Sequence, residues 1–390
     1  MVKPGVRGRR TGASRVATSR TVTALIAVAM AASVCSANAV GQQTPPGGQR
    51  PGLGPPVPPT LDSLTNGGWI VRPSAHASLW FHALAVIAAD QPGPLGLYSA
   101  DYARHIRDVK QQAGVYPTAL DSVATQLRED IGDGRDLETL HFAPLYFPQA
   151  EPERMLDALR AVAKRKLEGP QVAGRDVRFG IAVMSQTMQS GKARRILGTL
   201  VDVVEQEWDV FYRQYWEDLA PQRDFLSQAV QAMWNSEIVP GLGPYLARRR
   251  LTAGLVMPSP ALGPEGRIVD LEALDAGDQV VAVQQPILSD GPNETVFAFL
   301  KELCFLIVDD ALLSADSLSV EEREDLQRTA AVRCGSTLLE FYAPQQVSLY
   351  RRAFLDAVGA EESATVAAFE RVYYMDPAVA TRLHEQVRNP

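Results

Sequence analysis

The sequence predicts an α+β protein that is mostly α-helical, with a small antiparallel sheet placed before a buried central helix. Three observations carry this. Apolar residues recur at helical spacing from Ala75 to about Val239. At Leu251 the pattern changes to short β-branched runs broken by proline and glycine. The stretch Asn293–Leu313, NETVFAFLKELCFLIVDDALL, then carries apolar residues on every face, as a helix inside a core does.

Taken in order, ASLWFHALAVIAAD is a strongly apolar helix stopped by Gln91-Pro92-Gly93-Pro94. SADYARHIRDVKQQAG is amphipathic and ends in glycine, and Thr118–Ile131 is a further helix before Gly132-Asp133-Gly134. LHFAPLYFP, residues 140–148, is aromatic and reads as extended, closed by proline. EPERMLDALRAVAKRKLEG has Pro152 in its first turn, acids early and bases late, the order the helix dipole favours. A long helix is expected over Ala193–Ala220 and another from Pro221 through Trp234. Beyond Leu251, LTAGLVMPSPAL and GRIVD read as a hairpin and GDQVVAVQQPIL as a third, valine-rich strand. Asn293 is a candidate N-cap for the central helix, with Glu294 at its positive end. A second long helix runs from about Val320 to Tyr342, and three more follow Pro344.

The first sixty residues read differently. Lys3, Arg7, Arg9, Arg10, Arg15 and Arg20 precede an apolar run, Thr21–Val34, and then Ala37-Asn38-Ala39. That is the order of a secretory signal peptide over residues 1–39, so export to a periplasmic or extracellular space is expected. Val34 is bulky where a lipoprotein signal wants a small residue before Cys35, so lipid anchoring is disfavoured. Residues 40–60 are Pro, Gly and Gln with almost nothing to bury, a disordered linker. No stretch of the mature chain is long and apolar enough for a membrane span. Without the six basic residues of the signal, 32 basic residues face 45 acidic ones, which argues against nucleic acid as a partner. The body divides into a helical region, 61–250, and an α+β region with C-terminal helices, 251–390, which one continuous domain could also contain. In an oxidising compartment Cys304 and Cys334 are free to pair or to stay as thiols.

Inside the central helix sit two adjacent charges, Lys301 and Glu302. The order of hairpin, valine strand, buried helix and second long helix resembles the catalytic module of zincin metallopeptidases, closest to the gluzincin branch. In that family the buried helix carries HExxH, whose histidines at i and i+4 bind zinc and whose glutamate is the general base. A glutamate on the next helix supplies the third ligand. The frame falls on Lys301-Glu302-Leu303-Cys304-Phe305, so the resemblance puts Glu302 at the general-base position and Glu340 at that of the third ligand. Both histidines are missing. The resemblance therefore implies a zincin-like fold without its zinc, no cofactor, and a non-catalytic protein that holds a peptide or protein in the cleft, by strand addition along the valine strand. It also implies that Lys301 fills the vacated metal position and pairs with Glu302, Glu340 or both. Cys304 and Cys334 would lie on the two packed helices, with Gly335 allowing close approach.

The alternative is an active hydrolase with an unrecognised site, or a metallopeptidase that draws zinc ligands from His76, His82 or His141. No two of the five histidines stand at i, i+4, and His76 and His82 fall on different faces of one helix, which favours packing or capping roles. No G-x-S-x-G elbow is present, and Gln186 stands where a phosphate loop ending at Gly191 would need glycine. The run WDVFYRQYW, 208–216, has the composition of a sugar-stacking surface, although at helical spacing aromatics more often form core.

Overall fold

The computed structural model describes residues 68–89, 97–132, 135–167, 174–270, 279–285, 291–312, 319–360 and 365–389, all within one compact unit, Pro58–Pro390. The segments expected to be a signal peptide, 1–39, and a Pro/Gly-rich linker, 40–60, lie outside the described residues. Four strands form one sheet: β1 (Trp69–Val71), β2 (Gly254–Ser259), β3 (Arg267–Val269) and β4 (Gln279–Gln284), in spatial order β1-β2-β4-β3. β1 and β2 pair in parallel, as do β2 and β4, whereas β3 runs antiparallel to β4.

The sheet is thus mixed rather than antiparallel, and β2 and β3 are not hairpin partners. The reason lies in β4. QVVAVQ is buried along nearly its whole length, so it needs a neighbour on each side and a covered surface on each face. A β2–β3 hairpin would leave it at an edge. The central position of β4 also removes it as a site for strand addition by a peptide, because both of its edges are taken. Pro258 of β2 lies beyond the three residues paired to β1, where the strand has a neighbour on one side only.

Alternation along β2 and β4 splits the core in two. Leu255, Met257, Val280 and Ala282 face one helical layer, while Val256, Val281 and Val283 face the other. The first layer holds α1 (Ala75–Ala88), α2 (Ala100–Gln112), α3 (Ala119–Gly132), α4 (Pro152–Lys164), α5 (Arg175–Thr187) and α6 (Gly191–Glu207). α7 (Arg213–Asp218), α8 (Ala220–Met233) and α9 (Val239–Arg248) follow. The second layer is built by α8 and α9 with α10 (Asn293–Leu312), α11 (Val320–Tyr342), α12 (Val347–Ala357), α13 (Val366–Val372) and α14 (Pro377–Arg388).

Several local expectations change. Asn293 is the first residue of α10, and the carbonyl of Pro292 before it accepts from Val296, so Asn293 is not the cap. Residues 140–148 are not extended but lie in tight 3-10 turns, Arg135–His141 and Ala143–Tyr146, which tuck Leu140 and Leu145 into the core. The helix expected over Ala193–Ala220 is interrupted by a wide π turn, Trp208–Tyr212, and a second π turn, Trp234–Ile238, joins α8 to α9. Among the described residues no helix is long and apolar enough to cross a membrane.

Candidate functional site

α10 buries its two adjacent mid-helix charges almost completely. Lys301 and Glu302 expose 2% and 1% of their surface, and Lys301 Nζ lies 2.6 Å from Glu302 Oε1. The same Oε1 accepts the backbone N–H of Gly266 at 2.9 Å, and Lys301 also donates to the Pro264 carbonyl at 3.3 Å. The loop between β2 and β3 therefore closes over the pair. Gly266 is required there: a Cβ would sit 2.5 Å from the Ala282 carbonyl and 2.8 Å from Glu302 Cγ. Lys301 Nζ stands 5.3 Å from the centre of the Phe305 ring, one turn on.

Charges continue outward from this pair. Glu265 bonds Arg267 at 2.9 Å and Arg328 of α11 at 3.4 Å. Burial pushes its carboxyl up, but Arg267, Lys301 and Arg328 together outweigh that and hold it below the ordinary range. The α11 residue that joins the cluster is thus Arg328. Glu340 is two-fifths exposed and bonds Arg351 of α12 instead, and at ~1.5 Å rise per residue it lies some 18 Å farther along α11. Lys301 and Glu302 are brought together, and Glu340 is not brought to them.

The residues of the HExxH frame do not fit zinc. Lys301 has no lone pair while protonated, Phe305 has no ligand atom, and Glu302 is already engaged by a cation and an amide. Nor do the distant histidines converge. His76 bonds Ser74 Oγ at 2.9 Å and the Pro144 carbonyl at 3.3 Å, and His141 bonds the Tyr98 hydroxyl at 2.6 Å. Cys304 and Cys334 are free, buried thiols, and burial first, then the facing Cys334 sulfur, raises the Cys304 thiol well above its ordinary value. The space beside Gly335 is taken by the Tyr350 hydroxyl, which a Cβ would approach to 2.1 Å.

A second polar cluster, not foreseen from the sequence, lies in the other layer. His82 of α1, Lys110 of α2 and Glu207 at the end of α6 are each at most 1% exposed. Glu207 Oε1 accepts from His82 Nε2 at 3.0 Å and from Lys110 Nζ at 2.7 Å, and Oε2 accepts the Thr118 hydroxyl at 2.6 Å. Lys110 also reaches Asp121 at 3.0 Å and Thr118 Oγ1 at 3.3 Å, so its three protons have three acceptors. His82 Nδ1 lies 2.9 Å from the Tyr102 hydroxyl, which suits a neutral ring that accepts there and donates to Glu207. Burial would raise the Glu207 carboxyl, but the bond it accepts from His82 and the Lys110 charge prevail and hold it at about 2. The π turn makes the cluster possible. In an α-helix residues 207 and 212 would point about 140° apart, but the wider turn brings both Glu207 and the Tyr212 ring, 4.4 Å away, to His82.

Comparison of the chain with protein-family models, with curated proteins and with solved structures gives no match.

Proposed function

We propose that the chain is an exported, non-catalytic peptide- or protein-binding protein on a zincin-like scaffold, with Lys301 standing where the first zinc-binding histidine would stand. One observation carries this reading: the buried Lys301–Glu302 pair, closed over by the β2–β3 loop. A general base needs a carboxylate free to take a proton from water at a reaction site. Glu302 instead spends its oxygen on an ammonium and a backbone amide. The order of β4, α10 and α11 supports the scaffold. The edge this reading assigns to an extended peptide is the outer edge of β3, at the end of the sheet away from β1.

The test is elemental analysis of the full chain after zinc loading and desalting. No stoichiometric zinc is expected, and one zinc per chain would overturn the non-catalytic reading. The double variant Lys301→His, Phe305→His separates the scaffold from the charge pair: a gained zinc supports zincin-like geometry, and no gain rejects it. Lys301→Met is expected to lower the unfolding free energy by about 3 kcal/mol, since it orphans Glu302 with one amide partner. Urea melts of the two proteins measure this, and superimposable curves would mean that the pair contributes nothing.

A further inference from the structure

A cleft of about 450 Å³ opens between α7, α8 and the ends of β2 and β4. Its walls include Tyr212, Tyr215, Trp216, Arg223, Pro260 and Gln285. About 40 Å³ of it is free for the centre of a water molecule, room for about three waters, so the inner end is a slot. Pro260 and Gln285 directly follow the C-terminal ends of the parallel strands β2 and β4, tied by the bond from the Gln285 amide to the Ser259 carbonyl at 3.0 Å. Ligands of open sheets with parallel strands gather at that end.

Three polar atoms of this slot are buried and have no hydrogen-bond partner among the described residues: Tyr215 Oη, Arg223 Nε and Gln285 Nε2. Gln285 as a whole is only 4% exposed. Buried polar groups are ordinarily paired, because an unmet donor loses its water without replacement. All three atoms can donate, so what they lack is an acceptor. Among the described residues, Arg223 is the one cation that lines the slot and no carboxylate does; Asp224, which faces solvent, acts on Arg223 only through its field. The guanidinium is held in place. Its centre lies 3.4 Å from the centre of the Trp216 ring, and Nη1 donates to the Trp216 carbonyl at 2.6 Å. That leaves the Nε edge of a fixed fork, the geometry that matches a carboxylate. Apart from Gln222, the remaining walls are aromatic and aliphatic.

We infer that this slot binds a small, flat, mainly apolar molecule bearing one carboxylate, with the carboxylate on Arg223 and Gln285 and the apolar body against Tyr212 and Tyr215. The site lies apart from the α10 pair, so zinc retention and carboxylate binding test separate statements.

The experiment titrates the full chain with benzoate, cinnamate and naphthoate, and with the corresponding primary amides, by calorimetry and by tryptophan emission. At least one acid is expected to bind saturably, and its amide at least about tenfold more weakly, because a charge-assisted pair becomes a neutral one. Arg223→Lys keeps the charge but loses the fork, and should weaken the acid by a similar factor. Gln285→Leu should also weaken it while leaving the melting temperature unchanged or raised, since the deleted amide nitrogen is buried without a partner among the described residues. No saturable binding of any acid, equal binding of acids and amides, or unchanged binding in both variants would overturn the inference. If Arg223→Lys does not fold, Gln285→Leu decides alone.

Discussion

Replacing Lys110 with methionine is expected to lower the unfolding free energy by about 3–5 kcal/mol, the range for removing one partner of a buried ionic cluster. The side chain has no exposed surface, and its ammonium stands within 3.0 Å of both Glu207 and Asp121. Without it, two carboxylates share one buried site with a neutral imidazole, and the Thr118 hydroxyl cannot serve both fully. One of them must take up a proton or draw in water, and either costs free energy that the packed site does not return. Methionine fills much of the same volume, so a packing defect is not the main term. The double variant Lys110→Met, Glu207→Gln should recover part of the loss, because it removes both charges of the shortest pair. Equilibrium urea unfolding of the two variants beside the parent measures this. A single-variant loss below about 1 kcal/mol would mean that the cluster behaves like an exposed ion pair.

That cluster also shows where the sequence could not be read through to the structure. Helical spacing located most helices within a few residues, because one apolar stripe per helix is a local property. The buried central helix was legible for the same reason; that Lys301 inside it needs a partner was legible too, while the choice among Glu302, Glu340 or both was left open. Sheet order was not legible. β1 is three residues long and lies 182 residues before β2, and nothing local in Trp69–Val71 specifies Gly254–Val256 as its partner. The α5 helix at Arg175–Thr187 follows a glycine-rich approach that hides its start. The π turns are set by what the helix packs against, so WDVFYRQYW reads as one helix of mixed aromatics when it is in fact two registers. His82, Lys110 and Glu207 lie far apart in the chain, and each alone looks like an ordinary polar residue. One signal was available: Glu207 closes an apolar run, LGTLVDVVEQEW, on the face that Leu200 and Val203 bury.

Lowering the pH from 7 to 4.5 is expected to remove about 3–5 kcal/mol of stability through the buried histidines. His76 is 2% exposed, and its ring is held neutral by burial first and the Arg72 charge next, against the opposing bond to Pro144, at about 4 instead of 6.5. His141 is lowered to about 4 by burial and then Arg267, and burial lowers His82 against the pull of Glu207. The unfolded chain takes up the His76 and His141 protons near 6.5, whereas the folded chain refuses them until about pH 4. Below 6.5 the unfolded state therefore binds more protons, so stability falls as pH falls across that window. At about 1.4 kcal/mol per pKa unit, His76 alone accounts for about 3 kcal/mol, and the partly exposed His141 for less. Below pH 4.5 the loss continues through Glu207, whose stabilising ionisation persists down to about 2. His76→Gln keeps a group able to bond Ser74 or Pro144 but cannot titrate, and should flatten the upper part of the curve. Urea midpoints at half-unit steps of pH would show the slope. A flat profile from 7 to 4.5 would mean that these rings accept protons in the folded chain, and the packing that closes over His76 would then be open to water.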